Sequence, residues 1–333
     1  MAYQIGLIAR RDNTGLGYQT KAYYKHLNPV KTMVIDLSKL NGQKQNLDWY
    51  PDGMVIDCFP NRLEIKEFLH GLDVVLMAET PMNYDLYSIA KDMGVKTVNV
   101  INWEFFDHIS KPQLPLPDVI IMPSVWHIEE AKAFCEPRGI KCEYIHHPVD
   151  RTEIPYRNRT TSKVFHIAGK PATRDRNGTF DALGAIPDLK VITQDEGFAK
   201  QLRMMYRHSN VFTNIEYNKL FDMGDILLFP RRYGGNCLPL NEALSAGIPV
   251  IMPDISPNNY LLPKEWLIPA HVKEVFTPRT TVEVYECRPE DIRKTVDYVK
   301  ANIQEESKKA NEIAETISWE TLKNRYLEVI NGL

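Results

Sequence analysis

The sequence predicts an α/β protein of two doubly wound units, each a parallel sheet with helices on both faces. Three observations carry that expectation. Short apolar runs alternate with amphipathic stretches through the first half of the 333-residue chain. The alternation stops at a polar, Pro-containing segment, 148–162, and restarts at Val164-Phe-His-Ile-Ala-Gly169. Residues 289–330 then close the chain with helical periodicity. Strands alternating with helices build parallel sheets, and a restarted series implies a second sheet.

The elements follow in order. Apolar runs at 5–9, 32–35, 53–56, 74–77, 97–101, 119–122 and 142–145 read as buried strands, each four or five residues long. Amphipathic stretches at 18–27, 63–69, 84–93 and 126–134 read as the helices between them. After the polar segment, strands are expected at 164–169, 189–192, 211–213, 226–229 and 250–252, with a helix over 238–245. Segment 148–162 has no hydrophobic period and reads as a linker. The expected division is therefore 1–150, 151–310, and a terminal helical piece, 311–333. Ser318 is a suitable N-cap for the last helix, although Thr321 stands where a capping-box acid would.

Composition excludes several classes. With 44% hydrophobic and 25% charged residues the chain is an ordinary globular one with a sizeable core. Net charge is −3 and neither half is strongly polarised, so there is no global basic footprint for nucleic acid or anionic membrane. Five Cys, at 58, 135, 142, 237 and 287, show neither metal nor disulfide spacing and fit a reducing compartment. The N-terminus enters a strand directly, and no apolar run is long enough to span a bilayer. A soluble, cytoplasmic protein is the expectation.

The most informative stretch is 225–253. A short apolar strand runs into Arg231-Arg-Tyr-Gly-Gly-Asn-Cys-Leu-Pro-Leu-Asn-Glu-Ala243, and Gly247-Ile-Pro-Val-Ile251 follows. Gly234 and Gly235 let the backbone approach a ligand closely. N–H groups at the start of the helix favour an anion there, and Glu242, further in, can accept hydrogen bonds from sugar hydroxyls. This is a place to hold a nucleotide-sugar by diphosphate and ribose. An ordinary strand-turn-helix remains the plain alternative. Asn13-Thr-Gly15-Leu-Gly17 forms a second Gly-containing turn, after the first strand. Lys21 or a neighbour stands where a dinucleotide fingerprint needs its third Gly.

The 225–253 stretch resembles the donor signature of the retaining GT-B glycosyltransferases of family 4, E-G-F-G-L-P-x-x-E-A followed by G-x-P-V-I. Leu238-Pro239, Glu242-Ala243 and Gly247-x-Pro249-Val250-Ile251 match. Gly234 stands where the family has the first of its two acids. The resemblance extends to His147-Pro148-Val149-Asp150, similar to the N-G-V-D entering the second domain, and to Ile317-Ser318-Trp319-Glu320 with Tyr326, similar to the terminal helix that packs back onto the first domain. It implies a GT-B fold, two Rossmann-like domains facing across a cleft, the first for acceptor and the second for donor. It also implies metal-independent, retaining transfer from a nucleotide-sugar, expected to be a UDP-sugar, with the departing phosphate taking the acceptor proton. No Asp-x-Asp metal motif occurs.

The resemblance carries over residue by residue. Gly15 and Gly17 fall on the family's Gly-rich first loop. Lys170 and Arg176, with Arg174 a competitor, fall on the two cations that neutralise the donor diphosphate, a charge that grows as the glycosidic bond breaks. Asn214 and Ile215 fall where the nucleotide base is contacted. Glu242 takes the ribose. The sugar hydroxyls left by the missing acid are expected to fall to Asn236, Arg232 or first-domain residues, with Gly235, Cys237 and Leu238 keeping the turn in shape. Gly234→Glu is expected to alter sugar preference more than nucleotide affinity.

The acceptor side is read from the carboxyl ends of three first-half strands, where open α/β sheets bind ligands. These carry Glu79 with Asn83, Trp103 with Glu104, and Trp126 with His127. Exposed aromatics among polar groups there would suit a flat, polar acceptor; core packing is the commoner fate of a Trp and stays open. Asp12 is placed to orient an acceptor hydroxyl, with Glu79 and Glu104 as further catalytic candidates. His147, beside His146, is expected to line the cleft; no metal set surrounds it. The forms Pro230-Arg-Arg-Tyr-Gly-Gly and Asp175-Arg-Asn-Gly-Thr179 look like a bacteriophage subgroup. That likeness implies a hydroxymethylated pyrimidine in DNA as acceptor, and host cytoplasm as location. Arg10, Arg11, Lys21, Lys25, Arg151, Arg157 and Arg159 are the candidate phosphate patch. A polysaccharide, lipid or small-molecule acceptor, a sugar-nucleotide epimerase, and a non-catalytic nucleotide-sugar binding protein stay open beside it.

Overall fold

The computed structural model describes residues 3–333, which fall into two compact units, one running to residue 147 and including 319–333, the other 148–318. The first unit holds seven parallel strands: β1 (Ile5–Arg10), β2 (Lys31–Asp36), β3 (Met54–Asp57), β4 (Val74–Ala78), β5 (Lys96–Val100), β6 (Val119–Met122) and β7 (Lys141–Tyr144). Their order is β3-β2-β1-β4-β5-β6-β7, so the chain winds outward from β1 in both directions. Every residue of β1 is buried, as a central strand covered on both faces requires. Helices α1 (Gly15–Leu27), α2 (Ser38–Asn41), α3 (Arg62–Leu69), α4 (Asp85–Asp92), α5 (Asp107–Ser110) and α6 (Ile128–Cys135) connect them. Asn61 and Glu64 close a capping box at the start of α3.

The second unit repeats the plan. Strands β8 (Val164–Gly169), β9 (Lys190–Thr193), β10 (Asn210–Phe212), β11 (Ile226–Leu228), β12 (Val250–Pro253) and β13 (Leu267–Ile268) lie in the order β10-β9-β8-β11-β12-β13. Its helices are α7 (Thr179–Ala185), α8 (Glu196–Met205), α9 (Leu238–Ser245), α10 (Asn258–Leu261), α11 (Pro289–Ala301) and α12 (Ile303–Thr316). Buried His166 on β8 ties the sheet to α7. Its Nδ1 meets the Leu228 carbonyl at 2.8 Å and its Nε2 meets Thr179 Oγ1 at 3.0 Å. Burial holds this imidazole below its ordinary pKa.

Two features depart from the sequence reading. An antiparallel hairpin, β14 (Ala270–Phe276) with β15 (Val282–Cys287), fills a stretch where the apolar runs predict no strand. Segment 148–162 is no loose tether. Buried Arg159 donates from Nε and Nη2 to the Ala246 carbonyl at 3.1 and 2.8 Å, closing the C-terminal end of α9. Arg151 reaches Asn311 Oδ1 at 2.7 Å, and Arg157 pairs with Asp222. The last helix, α13 (Trp319–Asn331), belongs to the first unit. Its Trp319 stacks on His26 of α1 with centroids 4.6 Å apart, and Tyr23 meets both Trp319 and Tyr326 within 6 Å. Among the described residues no helix is long and apolar enough to cross a membrane.

Candidate functional site

In the second unit, two loops leave the carboxyl ends of adjacent strands and are laced together. The first follows β8, which ends at Gly169 with φ +65°. The second follows β11 and leads into α9. The Arg176 carbonyl accepts from the Arg232 N–H at 2.8 Å, and the Tyr233 hydroxyl donates to the Thr173 carbonyl at 3.0 Å. Gly178, at φ +69°, lies so close to Pro230 that a Cβ would stand 2.0 Å from its carbonyl oxygen, so only Gly permits the contact. Asp175 anchors the first loop by accepting from the Thr179 and Phe180 N–H groups, each at 2.9 Å, at the start of α7.

This lacing brings guanidinium groups together at Gly234. At φ +118° this residue occupies backbone space that L side chains rarely adopt. A Cβ there would stand 2.5 Å from Nη2 of both Arg176 and Arg231, so the two nitrogens lie within 5 Å of each other. An anion bound between two guanidinium groups this close together is attracted to both. Arg231 also donates to the Asn236 carbonyl at 3.0 Å, which holds the turn. Arg176 lies over the Tyr233 ring, 5.3 Å from its centroid. Lys170 is exposed at the head of the first loop.

Several expected roles shift. Arg174 is turned to the hairpin, with Nε 2.9 Å from Glu274 Oε2 and its guanidinium 4.2 Å over Phe276. Arg232 is buried against Asp181 at 2.6 Å, so the side chain expected to meet sugar hydroxyls holds the loop to α7 instead. Gly234→Glu no longer reads as a change of sugar preference alone, because the new side chain must displace both guanidinium groups. At the start of α9, Pro239 has no N–H, and those of Leu240 and Asn241 bond to the Cys237 carbonyl at 3.1 and 3.3 Å. The helix start thus offers fewer donors than its position suggested, and the guanidinium groups carry the positive charge. Asn214, in the left-handed region at φ +57°, gives its amide to Glu196 Oε1 at 2.9 Å, and Ile215 beside it is half-buried.

Glu242 lies on α9, where the Tyr217 hydroxyl donates to its Oε1. Burial raises its pKa to about 8, and Glu153 adds to the rise. A carboxyl raised in this way keeps its proton further toward neutral pH than an ordinary glutamate does.

The first unit's candidates divide in the same way. Asp12 is fully buried, paired with Arg10 and receiving the Thr14 hydroxyl; that enclosure removes it as a contact for an acceptor hydroxyl. Thr14 Oγ1 accepts the Gly17 N–H at 3.2 Å, capping α1, and a Cβ on Gly17 would stand 2.0 Å from the Asp12 carbonyl oxygen. Gly17 is therefore required for close packing, and its N–H is already bonded to Thr14, while Gly15 is the first residue of α1. Asn83 is spent on backbone, donating to the Pro60 carbonyl at 2.9 Å and accepting the Asp85 N–H at 3.0 Å.

Trp103 and Trp126 are each only 7% exposed, so they are not the open platforms expected from their loops. Between them lies His127, stacked on Trp103 at 4.7 Å, tilted on Trp126 at 5.3 Å, with Nδ1 2.8 Å from Glu130. Glu104 is buried on the short turn after β5, and Glu79 follows the end of β4 at φ +60°. His147 is buried beside Tyr23, and burial drives its pKa down to about 3, with His146 adding to the shift. Among the described residues no three His, Cys, Asp or Glu are grouped to hold a metal.

The sequence reading missed Arg231, Tyr217, Tyr233 and Phe276. Arg231 was hidden by its neighbour Arg232, and the Tyr217–Glu242 and Tyr233–Phe276 contacts join segments far apart in the chain.

No protein-family model and no curated protein matches the chain. Solved structures do. Sucrose-phosphate synthase from Thermosynechococcus elongatus is similar over 98% of both chains, with TM-score 0.65 at 12% identity. HepE of Anabaena, in complex with UDP, covers 99% of this chain and 100% of its own, with TM-score 0.69 at 10% identity. An α-glucosyltransferase, in complex with UDP and a 13-mer DNA containing an HMU base, gives TM-score 0.63 at 9% identity, with 99% and 100% coverage. At these identities the likeness establishes the fold, which is GT-B: two parallel-sheet, Rossmann-like domains matched along the whole chain.

Proposed function

We propose that the protein is a retaining glycosyltransferase that moves a sugar from a UDP-sugar to an acceptor hydroxyl without a metal. The observation that carries this reading is the convergence of Arg176 and Arg231 on Gly234, at the carboxyl end of a central strand. Fixed cations at that place stabilise a departing diphosphate, the role a metal plays elsewhere. The full-length likeness to structures solved with UDP supports the choice of donor. In the reaction the bond from the sugar's anomeric carbon to the β-phosphate breaks, and its electron pair stays on phosphate oxygen. The acceptor oxygen bonds to the same face of that carbon, and its proton passes to the departing phosphate. No separate base is required, and buried Asp12 is not one.

For the acceptor, the leading reading is a hydroxymethylated pyrimidine in DNA, supported by likeness to the α-glucosyltransferase solved with HMU-containing DNA. One observation favours a smaller or uncharged acceptor instead. Arg10, Arg11, Arg151 and Arg157 of the candidate patch are ion-paired, Arg159 is buried, and Lys21 lies over Trp49 at 5.2 Å. Such cations are poorly placed to bind backbone phosphates. The test is incubation with UDP-glucose and EDTA, with hydroxymethylated DNA, oligosaccharide or small alcohols, followed by mass analysis. One hexose added to an acceptor, or glucose released from the donor, is the expected result. UDP-glucose bound yet unchanged across the panel would leave only a binding protein, and an inverted sugar nucleotide would mean an epimerase.

A further inference from the structure

The β14–β15 hairpin touches the two site loops at several points. The Tyr285 N–H of β15 donates to the Arg232 carbonyl at 3.0 Å. Phe276, the last residue of β14, meets Tyr233 edge-to-face, centroids 5.3 Å apart and planes at 74°. Tyr233 in turn carries Arg176 over its ring and fastens the first loop through Thr173. The other side of the hairpin end holds Arg174, stacked on Phe276 and paired with Glu274. Two cations of one short loop are thus sorted by a single phenyl ring. Arg174 is drawn to the hairpin, and Arg176 is left with Arg231 at Gly234.

We infer that Phe276 is a positioning residue for diphosphate recognition, acting through Tyr233 to set the guanidinium of Arg176. This rests on the reading of the loops as a nucleoside diphosphate site. A planar guanidinium on an aromatic face keeps its orientation but is free to slide unless the ring is fixed. Tyr233 has its hydroxyl tied to a backbone carbonyl and its ring braced by Phe276, which fixes the face that Arg176 lies over. Without Phe276, Arg174 loses its platform and Tyr233 its brace.

The test measures affinities of the full chain for UDP and UMP by calorimetry, with the ratio of the two as readout. Wild type is expected to prefer UDP, and Arg176→Ala to remove most of that preference. Phe276→Ala is expected to cut the preference about threefold to tenfold with UMP affinity unchanged, the range that one aromatic contact spans. Phe276→Tyr is expected to restore it. Phe276→Ala in the Arg176→Ala background is expected to cost nothing further. An unchanged preference in Phe276→Ala, or an equal loss in both backgrounds, would overturn the inference. Equal UDP and UMP affinity in wild type would instead overturn the underlying diphosphate reading. If Phe276→Ala fails to fold, Phe276→Leu is measured, and it is expected to lose preference without losing UMP binding.

Discussion

Gly234 concentrates the chemistry at the scale of single residues. The resemblance puts an acid there; the chain has no side chain and two arginines. Arg176→Ala and Arg231→Ala are each expected to weaken UDP binding by about 1–3 kcal/mol, the range for charge-assisted hydrogen bonds, measured by calorimetry in EDTA. Lys170→Ala is expected to cost less, because an exposed ammonium is screened by solvent. Gly234→Glu is expected to lose UDP affinity as well as alter sugar choice. If its UDP affinity matched wild type, the two guanidinium groups would not be the diphosphate contacts.

Two titrating groups with displaced pKa values, Glu242 and His147, give opposite pH slopes. Glu242 holds a proton in the folded state up to about pH 8, whereas its ordinary value is 4.5. Its contribution to stability is therefore full below about 4.5 and is lost as pH rises through the window to 8. His147 stays neutral down to about pH 3 against an ordinary 6.5, so its contribution is full above 6.5 and is lost as pH falls toward 3. Urea unfolding is expected to show a decline between pH 6.5 and 8 that Glu242→Gln flattens. A second decline, below pH 4.5, is expected to flatten in His147→Asn. A Glu242→Gln curve parallel to wild type above pH 6.5 would contradict the raised carboxyl.

At the scale of elements, periodicity revealed the central parallel strands because both of their faces are covered, and continuous apolar runs are what such burial demands. The loops were less legible. Gly, Arg and Tyr at 230–236 signalled a site, but which arginine faces it depends on Asp181, Glu274 and Phe276, partners remote in sequence. The hairpin was legible in principle, since Val282-Glu-Val284 starts a period-two alternation, with Val282 and Val284 buried and Glu283 exposed. The Trp residues misled because a position at a strand's carboxyl end says nothing of how the following loop folds over it. Among the elements, α7 depends on Asp175, which caps it from the site loop. Asp175→Ala is expected to lower stability by about 1 kcal/mol and to weaken UDP binding, because the same residue ends the loop that carries Arg176. Lower thermal stability with unchanged UDP affinity would separate the cap from the site.

The whole molecule is a chain that leaves its first unit at residue 147 and returns to it at residue 319. The return is made by side chains rather than strands. Trp319, Tyr326, Val329 and Ile330 of α13 are buried in the same core cluster as Leu7, Tyr23 and Leu76. Trp319 is 1% exposed, stacked on His26 and edge-on to Tyr23. An isolated helix of this length is marginal in water, so α13 depends on that packing. Removing the indole leaves a cavity between α1 and α13 that neighbouring rings cannot fill without leaving their edge-on contacts. Trp319→Ala is therefore expected to destabilise the first unit by about 3–5 kcal/mol, as large aromatic truncations do in packed cores. The arginines, Glu242 and the hairpin all lie within 148–318, so UDP affinity at a temperature where the variant is folded is expected to stay within about twofold of wild type. Chemical unfolding followed by Trp fluorescence, with UDP titration on the same sample, reads both quantities. A Trp319→Ala protein as stable as wild type would mean that α13 is an appendage rather than part of the core. A large loss of UDP affinity at full folding would mean that the donor site does not stand on the second unit alone.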